Sequence, residues 1–153
     1  MTKLLNEEPL EKIKPEDFDL VKDNMDAMAK ELDERKTGAV LGPHIGVHKD
    51  IMYIVGILGG NNVAVICNPT WIPIGKKISS IETFLFDGKN YLCDRYKTIT
   101  AIFQSFNMKG ELVRITKNLT GDKAIIYQHM ENYLHNKLQG HPLEDEEPIA
   151  EKV

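Results

Sequence analysis

The stretch that most constrains the fold is GDKAIIYQHMENYLHNKLQG, residues 121–140, in which Ile126, Met130, Leu134 and Leu138 recur every fourth residue. That is the period of one helical face, and Gly140 stands where a left-handed residue would end the helix. Its place in the chain makes it restrictive. The residues from Ile51 to Thr116 read mainly as strands, IMYIVGIL, VAVIC, ISSIETFLF, YLCDRY, TITAIFQSF and ELVRIT, separated by the turn sequences GGNN, DGKN and NMKG. Asn68-Pro69 is expected to end the first hairpin. One late helix must therefore bury its apolar face against an antiparallel sheet, which makes the fold α+β: antiparallel strands packed around a late central helix. A second helix is expected before them, from Pro15 to about Lys36–Gly38. There Phe18, Val21, Met25, Met28 and Leu32 share one face of an otherwise charged segment. Such a methionine stripe reads as core packing rather than as a binding surface.

With 153 residues the chain has the length of one domain, expected to span residues 1–140 and to be followed by an acidic, disordered tail over 141–153. The net charge of −4 resides in that tail, PLEDEEPIAEKV, and the remainder is neutral. A neutral body with an acidic tail excludes nucleic-acid binding by bulk charge. No apolar run is long enough to cross a membrane, and the amino-terminal MTKLLNEEPLEKIK lacks the apolar core of a signal peptide. Cys67 and Cys93 form no CxxC pair, so a reduced, cytoplasmic setting with two buried, inert thiols is expected. The sequon Asn118-Leu119-Thr120 is read as accidental on the same grounds.

Chemistry concentrates on the late helix. His129 and Tyr133, four residues apart, lie about 40° apart around its axis, whereas Glu131 and His135 point about 200° and 240° away from His129, so of these only Tyr133 can share a site with His129. Alone, a helical His beside an apolar face is most simply a structural residue. His44 and His48 have the spacing of helical metal ligands, but Pro43 and Gly46 place them in a loop, where that spacing carries no such meaning.

The order of features gives a stronger signal. TGAVLGPHIGV (37–47), Asn68-Pro69, ETFLF (82–86), Arg95, the turn at Gly110 and QHMENYLHNKL (128–138) follow one another as do, in the peptide deformylases, the loop GxGxAAPQ(I/V)G, an Asn-Pro, the segment EGCLS, a strand Arg, a turn and the helix QHExDHLxGxL. The chain resembles that family over nearly all its length up to about residue 140. The resemblance implies a deformylase-like fold. It also implies a metallohydrolase ancestry, in which the Cys of EGCLS and the two His of HExDH bind divalent iron, zinc or nickel and the helical Glu serves as general acid and base.

Matched position by position, the first His is kept as His129. The second is Tyr133, the Cys position is Phe84, the Glu position is Met130, and the oxyanion-stabilising Gln is His44, while Leu85, whose backbone N–H shares that task, is retained. A single imidazole is a poor holder for a metal that needs three protein ligands, and a thioether carries no proton. The expectation is thus a deformylase homologue with a degenerate metal site, no bound cofactor and no hydrolysis, Phe84 filling the old metal cavity. The alternative is an active N-formylmethionyl-peptide hydrolase with an altered centre, built from His44, His129 and Tyr133 and holding iron, zinc or nickel. The resemblance further places the peptide-binding edge at Val40, Leu41, Gly42 and Ile45, with a side-chain pocket at Ile125 and Ile126, so that an N-formylmethionyl or other extended peptide is the expected partner; for Ile126, plain core packing is the simpler reading. A third expectation is a scaffold whose cleft is closed by Phe84 and Tyr133. Where many bacterial deformylases continue into a basic extension that favours docking near ribosomal RNA, this chain carries acids, so docking by that route is not expected.

Overall fold

The computed structural model describes residues 9–35, 38–83, 88–137 and 140–143. Two short helices, α1 (Phe18–Asp23) and α2 (Met25–Arg35), precede β1 (Ala39–Leu41), a 3-10 turn over Gly42–Ile45, and β2 (Ile51–Val55). Then come β3 (Val63–Thr83), β4 (Asn90–Phe106), β5 (Leu112–Thr120), α3 (Asp122–Leu134) and the two-residue β6 (His141–Pro142). The strands form one antiparallel sheet in the order β1-β2-β3-β4-β5, and β6 pairs with the start of β4. The α+β architecture expected from the sequence is the one observed.

Period-two alternation on β1 and β2 divides the core between the two faces of the sheet. Leu41, Met52, Ile54 and Ile66 pack toward α3 with Ile99, Ala101, Phe103, Tyr127 and Met130. Val40, Ile51, Tyr53 and Cys67 point the other way, onto Val21 and Met28 of α1 and α2. These strands are therefore buried on both faces, which explains their unbroken apolar sequence.

Four expectations about elements need correction. The first helix is interrupted at Asn24, whose side-chain amide donates to the Leu20 carbonyl at 2.8 Å and competes with the next helical turn, although the apolar face continues through Val21 and Met28. Asn68-Pro69 does not end a strand. The two residues form a bulge between the Cys67↔Gln104 and Thr70↔Ile102 pairs, with Asn68 at φ 52°, and β3 runs on to Thr83. YLCDRY and TITAIFQSF are one strand, β4. Lastly, α3 stops at Leu134, because Asn136 takes the left-handed conformation (φ 58°) expected of Gly140 and returns its N–H to the Tyr133 carbonyl. Gly140 serves a different purpose: a Cβ there would come within 2.9 Å of Cys93 Sγ as the chain turns back to pair with β4. Leu138, and the tail from Glu144 onward, lie outside the described residues.

Candidate functional site

The long β3–β4 ribbon brings Glu82 and Arg95 onto the sheet face that carries α3, since Glu82 pairs with Tyr91 and Arg95 with Ile78 on that side. Arg95 Nε and Nη2 donate to Glu82 Oε2 and Oε1 at 2.8 and 2.7 Å, a two-pronged ion pair in which Glu82 is 8% exposed. His129 Nδ1–H donates to Glu82 Oε1 at 2.6 Å, and Arg95 Nη1 donates to Asn132 Oδ1 at 2.5 Å. Burial alone would push the Glu82 carboxyl up; the hydrogen bonds from His129 and Arg95, with the guanidinium charge, hold it instead at about 2. One residue before His129, Gln128 brackets the backbone of Tyr96, accepting from its N–H and donating to its carbonyl. Tyr127 reaches the Thr70 carbonyl. Polar side chains thus fix the register of α3 on β3 and β4.

The expected site residues separate into two groups around this anchor. His129 and Tyr133 share one face, as the spacing required. Tyr133 packs edge-to-face on His44, ring centroids 6.1 Å apart at 86°. His44 Nδ1 accepts the Leu41 N–H at 3.2 Å, closing the 3-10 turn. Met130 is buried in the core beneath α3. Phe84 and Leu85 lie outside the described residues. Along the peptide edge, the side chains of Val40 and Leu41 are fully buried on opposite faces, so β1 can offer a ligand only backbone groups. Gly42 is buried where a Cβ would meet Ile51 Cγ2 at 2.6 Å, and Ile45, Ile125 and Ile126 are half-buried, Ile126 packing on the core.

For a divalent ion, His129 retains one trait of a metal-binding His, a carboxylate that orients its ring through Nδ1. The other donors do not match. Among the described residues no three His, Cys, Asp or Glu side chains are placed to hold a metal. A phenol at position 133 is a weak ligand near neutral pH. The thiols are not substitutes: burial first, then nearby carboxylates, push Cys67 up to about 12, and burial with neighbouring Glu82 pushes Cys93 up to about 11.

A second polar cluster escaped the sequence reading. Asp50, Glu131 and His135 meet on the opposite side of α3: His135 Nε2 contacts Asp50 Oδ1 at 2.6 Å and Nδ1 contacts Glu131 Oε2 at 2.5 Å, while Trp71 Nε1–H donates to Glu131 Oε1 at 2.9 Å. The available signal is the i, i+4 spacing of Glu131 and His135 on the helix face turned away from His129.

No curated protein matches the chain. The sequence model described as polypeptide deformylase matches residues 5–148. Among solved structures, a peptide deformylase from Plasmodium falciparum aligns with a TM-score of 0.75 at 18% identity, covering 95% of this chain and 87% of that one. The class I type b peptide deformylase from Acinetobacter baumannii gives 0.72 at 14%, covering 88% and 90%. The enzyme from Thermotoga maritima gives 0.69 at 20%, covering 86% and 85%.

Proposed function

The chain belongs to the polypeptide deformylase family, and from that membership we propose that it is a metal-free, non-hydrolytic member whose old cleft binds an extended peptide, an N-formylmethionyl peptide being the first to test. The observation that carries this reading is what α3 does with the residues matched to the family's catalytic helix. Met130, at the general acid/base position, is a core side chain, and Tyr133, at the second ligand position, packs on His44. Neither can take up the proton transfer or the strong ligation those positions require. Peptide binding is supported by the place of β1 at the sheet's end, where main-chain pairing supplies affinity without catalysis. One backbone donor of that edge, the Leu41 N–H, is engaged by His44. A bound strand that used it would displace the imidazole, so His44→Ala should alter peptide affinity while leaving the fold intact.

Metal analysis of protein purified without chelator, together with a formyl-Met-peptide hydrolysis assay, tests the proposal. The expected result is substoichiometric metal and no turnover. One iron, zinc or nickel per chain, with turnover lost in His129→Ala, would instead establish the altered centre of His44, His129 and Tyr133. Titration with the same peptide decides the binding half: no saturable signal would leave the cleft without a ligand. The cytoplasm is the proposed location, as the setting of nascent formylated chains.

A further inference from the structure

The two faces of the sheet carry layers that are held in different ways. α3 is tied down by polar side chains: Gln128 brackets the Tyr96 backbone, Tyr127 donates to the Thr70 carbonyl, and Asn132 and Glu131 accept from Arg95 and Trp71. α1 and α2 meet the opposite face through Leu20, Val21, Met25, Met28 and Leu32, all apolar, and the Asn24 amide between the two helices is turned back onto Leu20. Beneath them lies a polar atom that the packing does not serve. Tyr53 is fully buried, and its hydroxyl is sealed from water without a hydrogen-bond partner. Burial, and then the neighbouring Cys67 thiol, push the phenol up to about 12, so it stays a neutral donor in need of an acceptor. A hydroxyl left in that condition weakens the closed arrangement by more than an ordinary hydrogen bond would strengthen it. Cys67 lies diagonally across the β2–β3 ladder from Tyr53, in the same apolar cluster.

We propose that α1 and α2 form a flap that lifts from the sheet as one unit while α3 stays seated, and that the Tyr53 hydroxyl, which gains water in the lifted state, sets how often it does so. The chain is pinned at both ends of the flap. Before it, the Asn68 carboxamide holds both backbone groups of Ile13, and after it, strand pairing resumes with Ala39 opposite Ile54. Val40 and Ile45 pack in the same cluster as the flap, so lifting it removes the support behind the β1 edge and the Gly42–Ile45 turn. The device works in this way whether or not that edge takes a peptide.

The two buried thiols report the two layers separately, since Cys67 lies under the flap and Cys93 under α3. Native protein is exposed to N-ethylmaleimide for timed intervals, and the alkylated cysteine is identified by peptide mapping. The reagent is kept dilute enough that reclosing outruns labelling, so the rate follows the open population. Cys67 should be labelled well ahead of Cys93, with a urea dependence shallower than that of global unfolding, because a partial opening exposes less surface. Tyr53→Phe removes only the hydroxyl and should slow Cys67 labelling about tenfold. Labelling of both thiols together, with the slope of global unfolding, would overturn the flap. A Cys67 rate in Tyr53→Phe equal to or faster than in the native chain would overturn the part given to the hydroxyl.

Discussion

Glu82 illustrates how much a single buried carboxylate can organise. It receives two hydrogen bonds from Arg95 and one from His129, and Arg95 in turn reaches Asn132, so a strand, its neighbour and a helix converge on one side chain. Replacing it with Gln keeps the shape but leaves a buried guanidinium without its counter-charge. Stranding one member of a buried pair costs about 3 to 5 kcal/mol, more than the pair itself is worth against an apolar substitute. Glu82→Gln should therefore lower the unfolding free energy in urea by that order, with an unchanged slope. His129→Gln should cost much less, because Glu82 keeps its two-pronged partner. If the two variants proved equal, the anchor would be the imidazole and not the ion pair. Sequence reading brought Glu82, Arg95 and His129 into view through their place in the family pattern. Asn132 and Gln128 stand in the same motif but carry no legible role in the sequence, since nothing in a residue's type says that its amide will meet a buried backbone or guanidinium.

At the scale of elements, legibility followed from how local the deciding forces are. Helix and strand types, the turns at GGNN and NMKG and the one-sided apolar face of the early helix depend on period and turn chemistry, and these stand as read. Boundaries depended on contacts made from a distance. β3 passes through Asn68-Pro69 because the Asn68 carboxamide is held by both backbone groups of Ile13 and by Gln104, which makes a bulge at what looks like a stop. α3 ends early because Asn136 supplies the left-handed residue first. The turn over Gly42–Ile45 shows the same dependence on distant partners. Gly42 is confined by Ile51 Cγ2 and by the Val47 carbonyl, 2.6 and 2.8 Å from where a Cβ would sit. Gly42→Ala must push the turn away from β2, at about 1 to 3 kcal/mol for overpacking. It should lower the melting temperature and, by displacing His44 and the end of β1, weaken any peptide binding at that edge. A variant as stable as the native chain would mean that the turn yields freely and does not fix the edge.

For the whole molecule, the two polar clusters flank α3, and their carboxyls and their imidazole respond to pH in opposite directions. Glu82 is held at about 2, below its ordinary 4.5, and Glu131 is lowered as well: burial opposes this, but the hydrogen bonds from His135 and Trp71 outweigh it. Carboxyls with lowered values contribute stability that is present above the unfolded value and is lost as pH falls through the folded one. His135 is raised from 6.5 to about 9; burial lowers it, yet the hydrogen bonds and charges of Asp50 and Glu131 prevail. Its contribution is complete below 6.5 and disappears as pH rises through about 9. Together they give a plateau of stability between roughly pH 4.5 and 6.5, with an acid flank set by the carboxyls and an alkaline flank set by His135. Urea midpoints measured from pH 3 to 10 should trace that shape, and His135→Gln should remove the alkaline decline between about pH 6.5 and 9 while keeping the part of the acid flank that Glu82 sets and losing the part of Glu131 that rests on His135. An alkaline decline that persisted in the variant would show that His135 is not the group that binds the extra proton in the folded state.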